Sequence, residues 1–283
     1  HRLIVLLIFI FIVALISLMI SNNIEHTLLQ LPIYQTNLQI VFDKLTDSFG
    51  LNNLPSLNSI IENWWSNVNL QAFALRALGS ISSVGSVLFM AALYAGFLFT
   101  ETNNFKGKIS KALGNDASQA LEILSKVNNK IGVYLTIKTI INIILAFISF
   151  LIMWALGIDS AVFWAVMIGF LNYIPYVGSA IGVGFPVGLT LAQFGSLQWA
   201  FLALVLLMAV QTYVGNILEP RMIGKSVNLS SFVVLLALVF WTTIWGLPGA
   251  ILSIPLTSVL VILLTENPST RPLAIMFTSG GDL

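Results

Sequence analysis

The chain has 283 residues, 58% of them hydrophobic and only 8% charged, whereas an ordinary soluble domain carries roughly 45–50% apolar and about 25% charged residues. Twelve Lys and Arg nearly cancel eleven Asp and Glu, so no basic surplus exists to neutralise phosphates, and nucleic acid is excluded as a partner. With no Cys and two His, one of them the first residue, a Cys/His metal centre, an iron–sulfur site, a disulfide framework and a Cys nucleophile are ruled out, and no cofactor is expected.

Charge is missing in long runs. From Thr139 to Leu218, 80 residues, Asp159 is the single charged side chain, and residues 226–265 hold none. One helix needs about 20 apolar residues to cross a hydrocarbon core of about 30 Å, so these runs contain several crossings. The alternating, turn-punctuated segments of a membrane barrel are absent. The expected fold is all-α: a polytopic helical membrane protein with two hydrophobic helical hairpins and an amphipathic extramembrane helical segment, the lipid bilayer being its first partner.

Residues 1–20 are expected to form a transmembrane helix. No small-residue cleavage site follows and the chain opens on His1, so this reads as an internal span rather than a leader. Residues 21–76 read as an extracytoplasmic amphipathic helical segment. In it Leu38, Phe42, Leu45 and Phe49 recur at helical spacing with Asp43, Lys44 and Asp47 between them, and a second pattern runs from Leu57 through Trp64 and Trp65. Such a segment either caps a pathway or a partner surface, or rests on the membrane interface with its Trp anchors.

Residues 77–100 are a second expected transmembrane helix, and residues 101–130 a Lys-rich loop. Residues 101–138 hold six Lys against three acidic residues, while residues 21–75 hold one Lys against four. The positive-inside rule therefore puts the Lys-rich loop in the cytoplasm of a cell (inner or plasma) membrane and the acidic segment outside.

Residues 131–265 form the expected transmembrane core, with apolar segments at 131–156, 161–194, 197–218, 230–245 and 249–265, and residues 266–283 a cytoplasmic tail. The second of these is too long for one ordinary span and contains Pro175, which removes an N–H and turns Ile174 away from helical angles. It should break there into a hairpin dipping into the membrane or into two tilted crossings, and the hairpin, which leaves Arg221 and Lys225 in the cytoplasm, is favoured by charge. Residues 230–265, interrupted at Gly246-Leu247-Pro248-Gly249, have the same form.

Polar groups within such a core are costly and become site candidates by default. Glu219-Pro220-Arg221 follows the segment at 197–218: the helix is expected to end at Glu219, Pro220 to forbid regular continuation, and Arg221 to supply a cation two residues on. The contest between the negative end of the helix dipole and Arg221 would poise the carboxylate to take a proton or a cation, or the pair is a structural staple. Asn172, Tyr173 and Tyr176 surround the break at Pro175, where unwound backbone either binds a polar solute or merely turns. Gly178, Gly182, Gly184 and Gly188 permit close helix approach. Gln211 lies about 1.4 turns before Asn216 within 197–218, so either the two face one pathway or Gln211 makes an interhelical hydrogen bond. Secondary candidates are Lys138, expected to snorkel to the interface; Asn142, one turn from it; Asp159, expected to cap the following helix; and Gly224 with Lys225 after the Glu-Pro-Arg junction.

Enzymes fare poorly. The only internal histidine, His26, lies in the outer segment, the carboxylates of the core do not make a dyad, and no Walker A sequence exists to drive transport by ATP hydrolysis.

In Tyr134 through Thr139, Phe170 through Ser179, Gly215 through Gly224, Trp241 with residues 246–249, and Ser253 through Thr257, the chain resembles the autoinducer-2 exporter family of bacterial and archaeal membrane proteins. These motifs stand in order over residues 134–266. The resemblance implies a multispanning secondary exporter of a small polar solute, a homo-oligomer with the pentamer as one form, to which efflux of the quorum-sensing signal autoinducer-2 is ascribed in some members. Other relatives are sodium or lithium/proton antiporters, so protons or sodium are the implied coupling partners. It draws attention to Asn172, Pro175, Gly178, Asn216, Glu219, Pro220, Arg221 and Gly224. A full-length member carries further hydrophobic segments upstream of His1. The chain departs from close relatives at Ser226 and Asn228, where they have glycines, and at Thr242 after Trp241. The expectation is thus an ion-coupled exporter, with an antiporter or a non-transporting membrane scaffold as alternatives.

Overall fold

The computed structural model describes residues 2–50, 59, 90, 94, 101, 104–105, 107–223 and 228–280. The expected span at 77–100 lies outside the described residues apart from Met90 and Tyr94, as do most of residues 51–76 and the site candidates Gly224 and Lys225. The chain divides into two compact units, His1–Ala112 with Leu191–Leu197, and Leu113–Thr190 with Gln198–Leu283.

In the first unit, helix α1 runs from Arg2 to Phe49 without interruption, roughly 72 Å at 1.5 Å per residue. It carries Pro32 inside and buries Tyr34 and Val41, while Leu45 and Phe49 are exposed. Asn37 donates from Nδ2 to the carbonyls of Ala192 and Gln193 at 3.0 and 2.7 Å. Those carbonyls close a helix C-terminus, where no intrahelical partner is left for them, so the amide supplies what the helix cannot. Gly195, at φ 58°, lies against Asn37: a Cβ there would stand 3.3 Å from the Asn37 Cβ.

The second unit is built from α2 (Ala117–Ala155), α3 (Ala161–Leu171), α4 (Val177–Phe194, its last four residues in the first unit), α5 (Leu197–Tyr213, from Gln198 onward), a π turn at Val214–Leu218, α6 (Glu219–Ile223), α7 (Ser231–Trp245), α8 (Leu247–Glu266) and α9 (Arg271–Phe277). Among the described residues four helical stretches are long and apolar enough to cross a bilayer: α2, α4, Leu197–Met222 and α8. The remaining apolar helices, α3 and α7, have 11 and 15 residues. At about 17 and 23 Å they fall short of a 30 Å core. Each instead pairs with the longer helix that follows it, which gives the two hairpins.

Glycine sets both hairpins. A Cβ on Gly178 would stand 1.8 Å from the Leu171 carbonyl oxygen, and one on Gly249 would stand 1.9 Å from that of Trp241. In each case the returning helix starts hard against the backbone of the incoming one, an approach only glycine permits. Gly182 continues the first contact, 3.5 Å from Ile168, whereas Gly184 and Gly188 meet nothing within 4 Å in this chain. The second hairpin is also tied by Trp241 Nε1 donating to Thr257 Oγ1 at 3.0 Å. Its first helix is capped by Ser230, whose Oγ accepts from the Val233 N–H.

Among the described residues the extended pairing is a single antiparallel bridge, Leu229 with Thr278. Beside it Ser230 N–H donates to Phe277 O at 3.0 Å, and Ser279 Oγ donates to Asn228 Oδ1. The segment after α9 therefore clasps the connector that leads into α7.

Candidate functional site

Helix α2 buries one stripe, Tyr134, Lys138, Ile141, Asn142, Leu145, Ser149 and Met153. Steps of three and four residues keep these on one face, so the sequence threads a lysine and an asparagine into an otherwise apolar contact surface. Helix α3 packs on that stripe at Gly169, where a Cβ would come within 2.9 Å of the Asn142 carbonyl oxygen. Close approach there carries Asn172, at the end of α3, to Asn142.

The result is a row of three amides. Gln211 Nε2 donates to Asn172 Oδ1 at 2.8 Å, and Asn172 Nδ2 donates to Asn142 Oδ1 at 2.8 Å. The row ends without an acceptor: Asn142 is 4% exposed, and its own Nδ2 has no hydrogen-bond partner among the described residues. A buried unsatisfied donor costs roughly 1–3 kcal/mol.

Lys138 corrects the expectation of a snorkelling side chain. It is 5% exposed, and its Nζ lies 2.6 Å from Glu219 Oε1. The helical phase is the reason, since the position that holds Lys138 belongs to the buried stripe and the ammonium can reach a carboxylate more easily than water.

Glu219 corrects a second expectation. The helix does not end there. Its N–H bonds to the Val214 carbonyl across the π turn, and α6 carries the backbone on to Ile223. Pro220 lacks an N–H and its ring would clash with the carbonyl four residues back in a regular α-helix. The widened π turn relieves both problems, so proline sits inside a 26-residue helical stretch. Because that stretch continues, Arg221 lies two residues and about 200° around the helix from Glu219. Arg221 is exposed, and among the described residues the ionic partner of Glu219 is Lys138.

Lys138, Glu219, Asn172 and Gln211 face a cavity of about 720 Å³, whose lining includes neither Asn142 nor Arg221. Of the expected site residues Lys138, Asn172, Pro175, Tyr176, Gln211, Asn216, Glu219 and Pro220 line it. Tyr173 points elsewhere, sharing a 2.6 Å hydrogen bond with Thr139 Oγ1, and Gly178 is buried under Leu171. Asp159 is outside the cavity, at the far end of α3, where the N-cap position falls on Ser160 instead. Tyr176 holds φ 60°, a left-handed conformation costly for a bulky residue. It places a half-exposed ring at the cavity edge.

Sequence reasoning missed Tyr134, Ser179, Met208 and Thr212 in the wall. Tyr134 had a signal, one turn before Lys138 on the same face. The volume lies within the roughly 300–1,000 Å³ of small-molecule sites, and the wall offers amides, an ion pair and apolar side chains, a set suited to a small polar solute or a cation.

A family model described as "AI-2E family transporter" matches residues 2–268. Relatives include two proteins named "Putative transport protein". That of Borreliella burgdorferi is 30% identical over 90% of this chain and 69% of its own length. That of Haemophilus influenzae is 31% identical over 95% and 78%. The "AI-2 transport protein TqsA" of Escherichia coli is 29% identical over 71% of this chain and 58% of its own length.

Proposed function

Because the chain belongs to the AI-2E transporter family and is a multi-pass protein of the inner membrane, we propose that it exports a small polar solute through the cavity at Asn172 and Glu219. The solute is of the autoinducer-2 class, and export is coupled to an inward proton or sodium gradient. The observation that carries this reading is the Lys138–Glu219 pair in the cavity wall. A carboxylate held by an internal ammonium can exchange that partner for a proton or a metal cation. The exchange would free Lys138 and unlock α2 from the π turn, so occupancy by the ion and the setting of the helices become linked. Gln211 and Asn172 then supply hydrogen bonds to the solute, and Tyr176 closes one side. In this reading transport, not catalysis, is the chain's activity, and a homo-oligomer, the pentamer among its forms, is the working assembly.

The test is gradient-driven solute flux in proteoliposomes. Glu219→Gln keeps shape and hydrogen bonding but removes the charge, and it is expected to abolish coupling between gradient and flux. Unchanged gradient-driven flux would remove Glu219 from the mechanism. The same pair also favours a second reading, a sodium or lithium/proton antiporter, since an alkali cation is a direct substitute for the ammonium. Dye-reported proton release on adding sodium or lithium, with no organic solute present, distinguishes it.

A further inference from the structure

The N-terminal part of α2 carries a second polar feature, at the level where the apolar run opens. Lys126, Asn129, Lys130 and Val133 follow one another at helical spacing, and with Ile262 of α8 they line a groove of about 370 Å³. Lys130 stands immediately before the apolar run that begins at Ile131. At 1.5 Å per residue Lys126 lies about 6 Å further out and Val133 about 4.5 Å further in. The groove therefore passes from ammonium groups to the apolar side chains of Val133 and Ile262 over about 10 Å along the helix, the same order from charge to hydrocarbon that a lipid presents from phosphate to acyl chain. An apolar crease formed by Ile131, Pro255, Val259 and Ile262 adjoins it between α2 and α8.

The charges are not equivalent. Lys126 lies between Glu122 at 3.1 Å and Glu266 at 3.4 Å, two carboxylates that more than cancel its charge at the junction of α2 and α8. Lys130 has no ionic partner among the described residues. The uncompensated charge is thus the one nearest the apolar run, with Asn129 beside it as a neutral donor.

We propose that this groove binds an anionic diacyl phospholipid, with the headgroup phosphate on Lys130 and Asn129 and the acyl chains along Val133 and Ile262. Basic pockets between transmembrane helices take acidic headgroups in this way. A zwitterionic headgroup brings its own cation against Lys130, so the site prefers phosphatidylglycerol to phosphatidylcholine. The bound lipid bridges α2, whose next turns carry Tyr134 and Lys138, to α8.

Native mass spectrometry of the purified chain in mixed micelles with equal phosphatidylglycerol and phosphatidylcholine tests this. Phosphatidylglycerol adducts are expected to be retained preferentially. Lys130→Gln should lower their retention about fivefold, the equivalent of about 1 kcal/mol for one basic residue, with phosphatidylcholine unaffected. Lys111→Gln, which removes the same charge from a residue that does not line the groove, should change nothing. Equal retention of the two lipids by the unaltered chain, an equal loss in Lys111→Gln, or displacement of the lipid by inorganic phosphate would each overturn the proposal.

Discussion

Lys138 on α2 and Glu219 at the start of α6 are 81 residues apart in the chain and 2.6 Å apart in space. Their side chains are 6% and 23% exposed, so the pair is shielded on the lysine side and open to the cavity on the carboxylate side. Deleting one partner of such a pair strands a charge, which typically costs about 3–5 kcal/mol. Lys138→Met should therefore lower thermal stability in detergent strongly. Lys138→Met with Glu219→Leu should recover most of the loss, because a well-packed apolar pair can replace an ion pair at little cost. The double variant is nevertheless expected to show no gradient-coupled flux. Recovery of coupling along with stability would sink the role given to the pair.

The amide row predicts a graded effect. Asn172→Leu removes the acceptor for Gln211 and the donor to Asn142 at once, leaving two polar groups unpaired at roughly 1–3 kcal/mol each. Gln211→Leu removes one bond at the cavity end and should cost about half as much. In flux measurements Gln211→Leu is expected to raise the half-saturating solute concentration more than it lowers the maximal rate. A change confined to the maximal rate would place Gln211 outside solute contact.

Glycine substitutions should separate into two classes. Gly178→Ala and Gly249→Ala force a methyl into a carbonyl oxygen of the facing helix, and overpacking of that kind costs about 1–3 kcal/mol or more. Gly184→Ala and Gly188→Ala meet open space and should be neutral or slightly stabilising through helix propensity. Melting temperatures of the four purified variants check the division.

Pro220→Ala tests the π turn. Restoring the N–H allows a regular α-helical turn, and losing one residue of bulge rotates α5 relative to α6 by about 100°. Stability is expected to stay level or rise while solute flux falls, since Gln211 and Glu219 would no longer face the same cavity. Cysteine cross-linking between positions 138 and 219 in this background would report the rotation directly. Efficient cross-linking with Pro220→Ala in place would count against it.

Legibility in the chain depended on which signals are local. The scarcity of charge located the helices that cross the membrane, and Pro175 and Gly246 marked the hairpin turns, because backbone chemistry there is decided by adjacent residues. Asn172 and Glu219 stood out for the same reason, as polar groups within apolar runs. The partner of Glu219 was not readable. A nearby arginine in sequence suggested Arg221, but a proline inside a helix can be absorbed by a π turn, and nothing in residues 214–218 announces that widening. Once the helix continues, its own rotation carries Arg221 away and leaves the cation on α2 to take its place. Lys138 was visible only as a lysine near the edge of an apolar run, where an extended side chain toward water is the usual outcome.

The clasp between Leu229 and Thr278 bears on the order in which the molecule is made. Lys138, Asn172, Gln211 and Glu219 all precede Leu229 in the chain, so the polar wall can assemble while later segments are still being synthesised. Leu229 also lines the cavity, yet its strand partner emerges about fifty residues later. At 5–20 residues per second the ribosome needs roughly 2.5–10 s to supply it. During those seconds the hairpin of α7 and α8 must enter the membrane with its leading connector untethered, and the rim of the cavity is the last of its walls to be fixed in place.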